Sequence, residues 1–188
     1  MSGTANNVTT GKPNNAGAVF MAPVGTAVPT DAVTALANTY IDLGFVSEDG
    51  VTEGVSISTT NIKEWGGGIV LVTQDEKTAT LKFKLIEYLN VNVQKFVNGD
   101  DNVMGTSLAS GIHIKVNDKE AGERVIVINQ IMRNDTPFRL VIPRAKITEI
   151  GEVTYKSNEA VAYDVTVTAI KDANGDYEHK YAGGNTGT

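Results

Sequence analysis

The chain has 188 residues, a net charge of −6 and no cysteine, so one core can be buried unaided, and disulfides and thiolate chemistry are excluded. Its bases form no stripe of the kind that grips phosphates, which argues against a free nucleic-acid binder. The longest apolar runs, 69–72 and 125–128, are too short to span a bilayer, and the first residues lack the blocks of a signal peptide; a soluble, cytoplasmically made protein is expected.

Residues 1–16 are rich in Gly, Ala, Asn and Thr, with Lys12 their one charge, and read as a flexible arm. A short strand over 18–22 stops at Pro23. Pro29, Thr30 and Asp31 introduce a short helix over 32–37, capped by Thr30 or Asp31. Residues 40–46 read as a strand, Ser47-Glu48-Asp49-Gly50 as a turn, and 51–57 as the strand's continuation. Trp65-Gly66-Gly67-Gly68 marks the most flexible point inside the chain.

Residues 69–73 and 78–87 flank Gln74-Asp75-Glu76-Lys77, which reads as a hairpin turn by position. The second strand alternates: Ala79, Leu81, Phe83 and Leu85 face one way, Thr78, Thr80, Lys82 and Lys84 the other. Residues 90–98 form the one good helix, ended by Gly99, with Val93, Phe96 and Val97 on one face. A polar loop over 99–111 leads to strands at 112–116, 124–132, 138–142, 145–155 and 161–170. Turns at Asn117-Asp118 and at Asp172-Ala173-Asn174-Gly175-Asp176 punctuate this last third, and the segment from 173 to 188 reads as a flexible tail. About eight strands and one helix predict a mainly β fold, a sandwich or half-barrel with a flanking helix. The body of the domain runs from 17 to 172.

Charge is unevenly spread. Between Asp31 and Glu76 eight acids face a single base, Lys63, which leaves the remainder at +1. Two readings fit, a solvated acidic face or a surface that repels DNA or meets a weakly basic partner.

Catalytic and metal-binding patterns are missing from the sequence. His113 lies in an expected strand and His179 in a polar tail, far apart in the chain. The alternating oxygens of Asp172, Asn174 and Asp176 suggest calcium, but the loop is too short and lacks a closing Glu, so a plain turn is expected. There is no nucleophile elbow, no phosphate-cradling loop and no dinucleotide fingerprint. Paired acids such as Glu48/Asp49, Asp75/Glu76 and Asp100/Asp101 fall in expected turns. No enzyme activity, cofactor or metal is predicted.

Several segments taken in order resemble the major tail proteins (tail tube proteins) of long-tailed, non-contractile phages. They are Gly17-Ala18-Val19-Phe20-Met21-Ala22-Pro23; Tyr40-Ile41-Asp42-Leu43-Gly44-Phe45-Val46 with Ser47-Glu48-Asp49-Gly50-Val51; the alternating strand at 80–87 leading into the helix at 90–98; 140–147; and 160–169. The resemblance covers most of 17–172. It implies a β-sandwich or half-barrel whose copies join edge to edge into a hexameric ring around a lumen. Rings would stack through a long loop and the terminal arms. It further implies a place in the virion tail, with tape measure, tail terminator and distal tail proteins as partners, and DNA only in transit.

Within that frame the long loop is 47–68, with Glu48, Asp49, Glu53, Lys63, Glu64 and Trp65 as expected contacts between rings. Trp65 fits an interface anchor or a core residue equally. Two polar rows are candidates for the lumen, Thr80/Lys82/Lys84 and Asp164/Thr166/Thr168; the lysines count against an acidic lining unless carboxylates neutralise them. The alternatives are the inner tube of a contractile tail or a type VI-like secretion system, another virion β-sandwich such as a head-decoration or adhesin module, and a small-molecule-binding barrel.

Overall fold

The computed structural model describes residues 4, 8–14 and 18–184. Its strands are β1 (Lys12–Pro13), β2 (Val19–Pro23), β3 (Ile41–Asp42), β4 (Val46–Lys63), β5 (Ile69–Leu85), β6 (Val103–Met104), β7 (His113–Ile114), β8 (Arg124–Met132), β9 (Thr136–Ile150), β10 (Tyr163–Ala169) and β11 (His179–Ala182). One α-helix, α1 (Val91–Asn98), lies between β5 and β6. The main sheet runs β3-β2-β8-β9-β10-β5-β4, every pair antiparallel, with β1 extending along β8 and β11 along β9. β6 and β7 make a separate two-stranded ribbon.

Strands β3 and β4 stand at opposite ends of this path, yet only residues 43–45 separate them in sequence. Four Cα steps span at most about 15 Å, so the open sheet must curl until its two ends nearly meet. Leu43 donates its N–H to the Val19 carbonyl, and Ile86 donates to the Phe45 carbonyl. The concave side is the core. Val19, Met21, Leu81, Phe83, Leu85, Ile126, Ile128, Ile142, Val165 and Val167 fill it, all buried.

Helix α1 packs into this concavity. Its expected apolar face is the one observed: Val93, Phe96 and Val97 are buried, and the Phe96 ring stacks on Phe83 with centroids 6.2 Å apart. Asn90 is the N-cap, its side chain accepting from the Asn92 N–H at 2.9 Å, so the helix proper begins one residue later than the sequence reading. Gln94, a polar residue on the buried side, donates to the Tyr88 carbonyl and accepts from the Tyr163 hydroxyl at 3.1 Å. A buried amide must be paired in this way or destabilise the core.

A second, smaller layer covers the opposite face of β8 and β9. Phe20, Val28, Leu36, Tyr40 and Tyr181 pack over Val125, Val127 and Val141, which is why the run 125–128 is apolar without alternation. The helix expected at 32–37 does not form. Asp31 does cap, its carboxylate accepting from the Val33 and Thr34 N–H groups at 2.8 and 2.6 Å, and those backbone bonds hold its carboxyl below the usual range. The buried Arg139 guanidinium, however, donates to the Asp31 and Thr34 carbonyls at 2.9 and 3.0 Å, occupying acceptors a helix would use.

Five other expectations change. The turn expected at Gln74–Lys77 lies within β5, and the chain reverses instead at residues 64–68, where Gly67 has the positive φ a tight turn needs. The loop expected over 47–68 is therefore mostly strand, and Gly50, at φ 71, sits in a register break of β4 rather than in a turn. The strands expected at 138–142 and 145–155 are one strand, β9, which ends at Ile150, so 151–155 are not strand. Pro143, with no N–H, falls where the β8 pairing breaks register and between the stretches paired to β11 and β10. The tail expected from 173 contains β11, paired to β9 from His179↔Val141 to Ala182↔Phe138. Of the expected arm, Lys12 and Pro13 pair with Ile131 and Gln130, while 1–3, 5–7 and 15–17, like 185–188, lie outside the described residues.

Candidate assembly surfaces

Beyond the buried Ala79, β4 and β5 leave the body as a bare two-stranded ribbon. It extends roughly 30 Å from Val55 to Lys63, taking the usual rise per strand residue. Residues 55–72 are exposed throughout. They nevertheless include Val55, Ile57, Ile62, Trp65, Ile69, Val70, Leu71 and Val72. Val55 pairs with Ala79 and Ile57 with Lys77, so the apolar stripe that faces the core along β5 runs out onto the ribbon, where its side chains are exposed. Trp65 sits at the tip, fully exposed, which removes the core reading of this residue. The outer edge of β4 carries no strand partner among the described residues.

The six residues expected to stack rings are spread along this ribbon. Lys63, Glu64 and Trp65 form its tip, where the Glu64 N–H donates to the Gly68 carbonyl at 2.8 Å. Glu48 and Asp49 lie at the other end, in the register break of β4, more than ten residues from the tip. Glu53 is tied to the body by an ion pair with Lys180 of β11, which also reaches Glu178 at 3.1 Å. Burial raises the Glu178 pKa, the nearby Glu53 carboxylate adding to the rise; for Lys180, burial opposes the charge, but the bonds to Glu53 and Glu178 outweigh it and raise the pKa. Sequence reading missed the run 69–72 as a surface, because an apolar run reads as a buried strand; its glycine-rich neighbour at 66–68 was the available signal.

The two candidate lumen rows prove to be neighbours on one face. Lys82 pairs with Thr166, Lys84 with Asp164 and Thr80 with Thr168, side by side on β5 and β10 and opposite the core. Lys146, Thr148 and Glu149 of β9 extend this face on one side, Thr52 and Ser56 of β4 on the other. Thr148 and Thr168 share a hydroxyl hydrogen bond of 2.9 Å. Two of the lysines meet carboxylates directly. Lys82 lies 3.4 Å from Asp164, and Lys146 lies 2.6 Å from Glu120, whose carboxyl its hydrogen bond holds below the usual range. The result is a broad hydroxyl-rich face of nearly balanced charge.

At the foot of the ribbon the segment from Lys171 to Glu178 folds across the sheet, with Tyr177 against the core and the Lys171 ammonium 5.5 Å from its ring centre. The turn expected at 172–176 is present: the Gly175 N–H donates to the Asp172 carbonyl at 3.1 Å, and the Asp172 carboxylate accepts from the Asn174 and Asp176 N–H groups. Unforeseen in sequence, β11 brings His179 to the same place, its Nε2 3.6 Å from Asp172. Asp172, Asp176 and His179 are the one cluster of three carboxylate or imidazole groups among the described residues that lie close enough together to hold a metal ion. His113 is exposed on β7, far along the sequence from this group.

A family model described as phage tail tube protein matches residues 4–181. Among solved structures, the protein is similar to one described as the anti-feeding prophage cap (AFP tube terminating cap), determined by cryo-electron microscopy. The likeness has a TM-score of 0.46 at 10% identity and covers 96% of this chain and 98% of that one. No curated protein matches. Among the described residues no helix is long and apolar enough to cross a membrane.

Proposed function

The chain belongs to the phage tail tube protein family, and from that premise we propose that its copies close into hexameric rings that stack into the tube of a non-contractile tail. It is thereby a structural component of the virion tail. Its work is self-assembly, with tape measure, terminator and distal tail proteins as partners and DNA passing through without specific binding.

One observation carries this reading. The ribbon bears eight large exposed apolar side chains and a strand edge with no partner among the described residues, features a lone soluble protein seldom leaves uncovered. A two-stranded ribbon standing free in water is marginally stable, so contact with a further copy both covers the apolar stripe and supports the strands. In the proposed tube the ribbon tip, with Lys63, Glu64 and Trp65, reaches the adjacent ring. Glu48, Asp49 and Glu53 then stand at the ribbon's root, where they aim it rather than meet the neighbour at its tip. The face of Thr80, Lys82, Lys84, Asp164, Thr166 and Thr168 lines the lumen. Its balanced charge suits a channel that must not retain phosphates, since each unneutralised lysine would add a salt-sensitive contact to DNA.

Negative-stain microscopy of the concentrated protein tests the proposal. Six-fold rings or hollow tubes are expected; uniform single particles at every concentration would refute it.

A further inference from the structure

The dipeptide Asn-Gly occurs twice in the protein, at Asn98-Gly99 and Asn174-Gly175. In such a pair the glycine nitrogen is the least hindered in a polypeptide, because no Cβ crowds its approach to the preceding side-chain amide. The fold treats the two pairs very differently. Asn98 ends α1, and its amide nitrogen donates to the Gln94 backbone carbonyl and to the Gln94 Oε1 at 3.1 and 3.0 Å. The Gly99 N–H is held by the Lys95 carbonyl at 2.9 Å, in a helix whose Val97 is buried. Asn174 is exposed in the turn, its amide nitrogen making one long contact of 3.5 Å to Asp172. The Gly175 N–H is held by one bond of an exposed turn, at φ 90, and bonds of that kind open at far lower cost than those of a docked helix.

We propose that Asn174 is a site of spontaneous deamidation, while Asn98 is protected by the fold. The Gly175 nitrogen attacks Cγ of Asn174, forming a new N–Cγ bond; the bond from Cγ to Nδ2 breaks, and the amide leaves as ammonia with the Gly175 proton. The five-membered succinimide is then opened by water at either carbonyl, giving aspartate or isoaspartate. Both products place a further carboxylate between Asp172 and Asp176. The isoaspartate also adds a methylene to the backbone of the turn that leads into β11, the strand whose Lys180 clasps Glu53 at the ribbon root.

The test is incubation of the purified full-length protein in mildly alkaline buffer, folded and in denaturant, followed by peptide mapping with isoaspartate detection. In denaturant both sites convert. In the folded protein the Asn174 peptide converts at least about tenfold faster than the Asn98 peptide, the order of separation expected between an exposed turn and a docked helix end, and N174Q abolishes conversion in that peptide. Equal rates at the two sites, faster conversion at Asn98, or no conversion at either while the unfolded protein converts both, would each overturn the proposal.

Discussion

Replacing Trp65 with Ala separates assembly from folding. The side chain is fully exposed in the single subunit, so its loss removes no packing there, and the melting temperature should stay within the range of neutral surface changes, about ±0.5 kcal/mol in stability. If the indole enters a pocket on an adjacent ring, it buries on the order of 200 Å², which at about 25 cal/mol per Å² sets a ceiling near 5 kcal/mol. Central aromatic anchors usually cost about 2–4 kcal/mol when truncated. That converts to a rise of roughly 30- to 900-fold in the concentration at which tubes form. Pelleting or light scattering against protein concentration measures this threshold, with circular dichroism melts run on the same samples. W65F, which keeps an apolar ring, should fall between. An unchanged threshold refutes the tip contact, and a large drop in melting temperature refutes the premise that the tip touches nothing within its own subunit.

Removing the Arg139 guanidinium in R139M should cost about 2–4 kcal/mol, since it strands the Asp31 and Thr34 carbonyls and the Asn129 side chain; hydrogen exchange should rise first at residues 31–36. F96A should cost about 3–5 kcal/mol by emptying the space against Phe83, read as a lower denaturant midpoint. For Asp172, the Asp176 N–H bond is the main cause that lowers its pKa, with the Asn174 bond and His179 assisting. A depressed carboxyl stabilises the fold above its unfolded pKa of about 3.9 and loses that contribution as pH falls through its folded value. Exchange protection of the Asp176 amide should therefore persist through neutral and mildly acidic pH and vanish below the ordinary carboxylate range; protection that vanished already near pH 6 would contradict the assignment.

Some of this protein was written locally. The alternation of 79–85, the 93/96/97 stripe and Gly99 were enough to place one core strand and the helix, because side-chain period and capping act over a few residues. The order of short segments likewise pointed to the family that the match over 4–181 establishes. Tertiary contacts decided the rest. Residues 32–37 follow a capping Asp31, but the Asp31 and Thr34 carbonyls that a helix would use are taken by Arg139, more than a hundred residues away. Gln74–Lys77 reads as a turn by its position between two strand-like runs, yet the ribbon it belongs to is solvated on both faces and continues to the glycines at 66–68. The run at 69–72 has the composition of a buried strand and stands in water. Burial is a property of what lies opposite a residue, and neither the β4 partner, the balanced polar face, nor β11 beside β9 can be known until the sheet has curled.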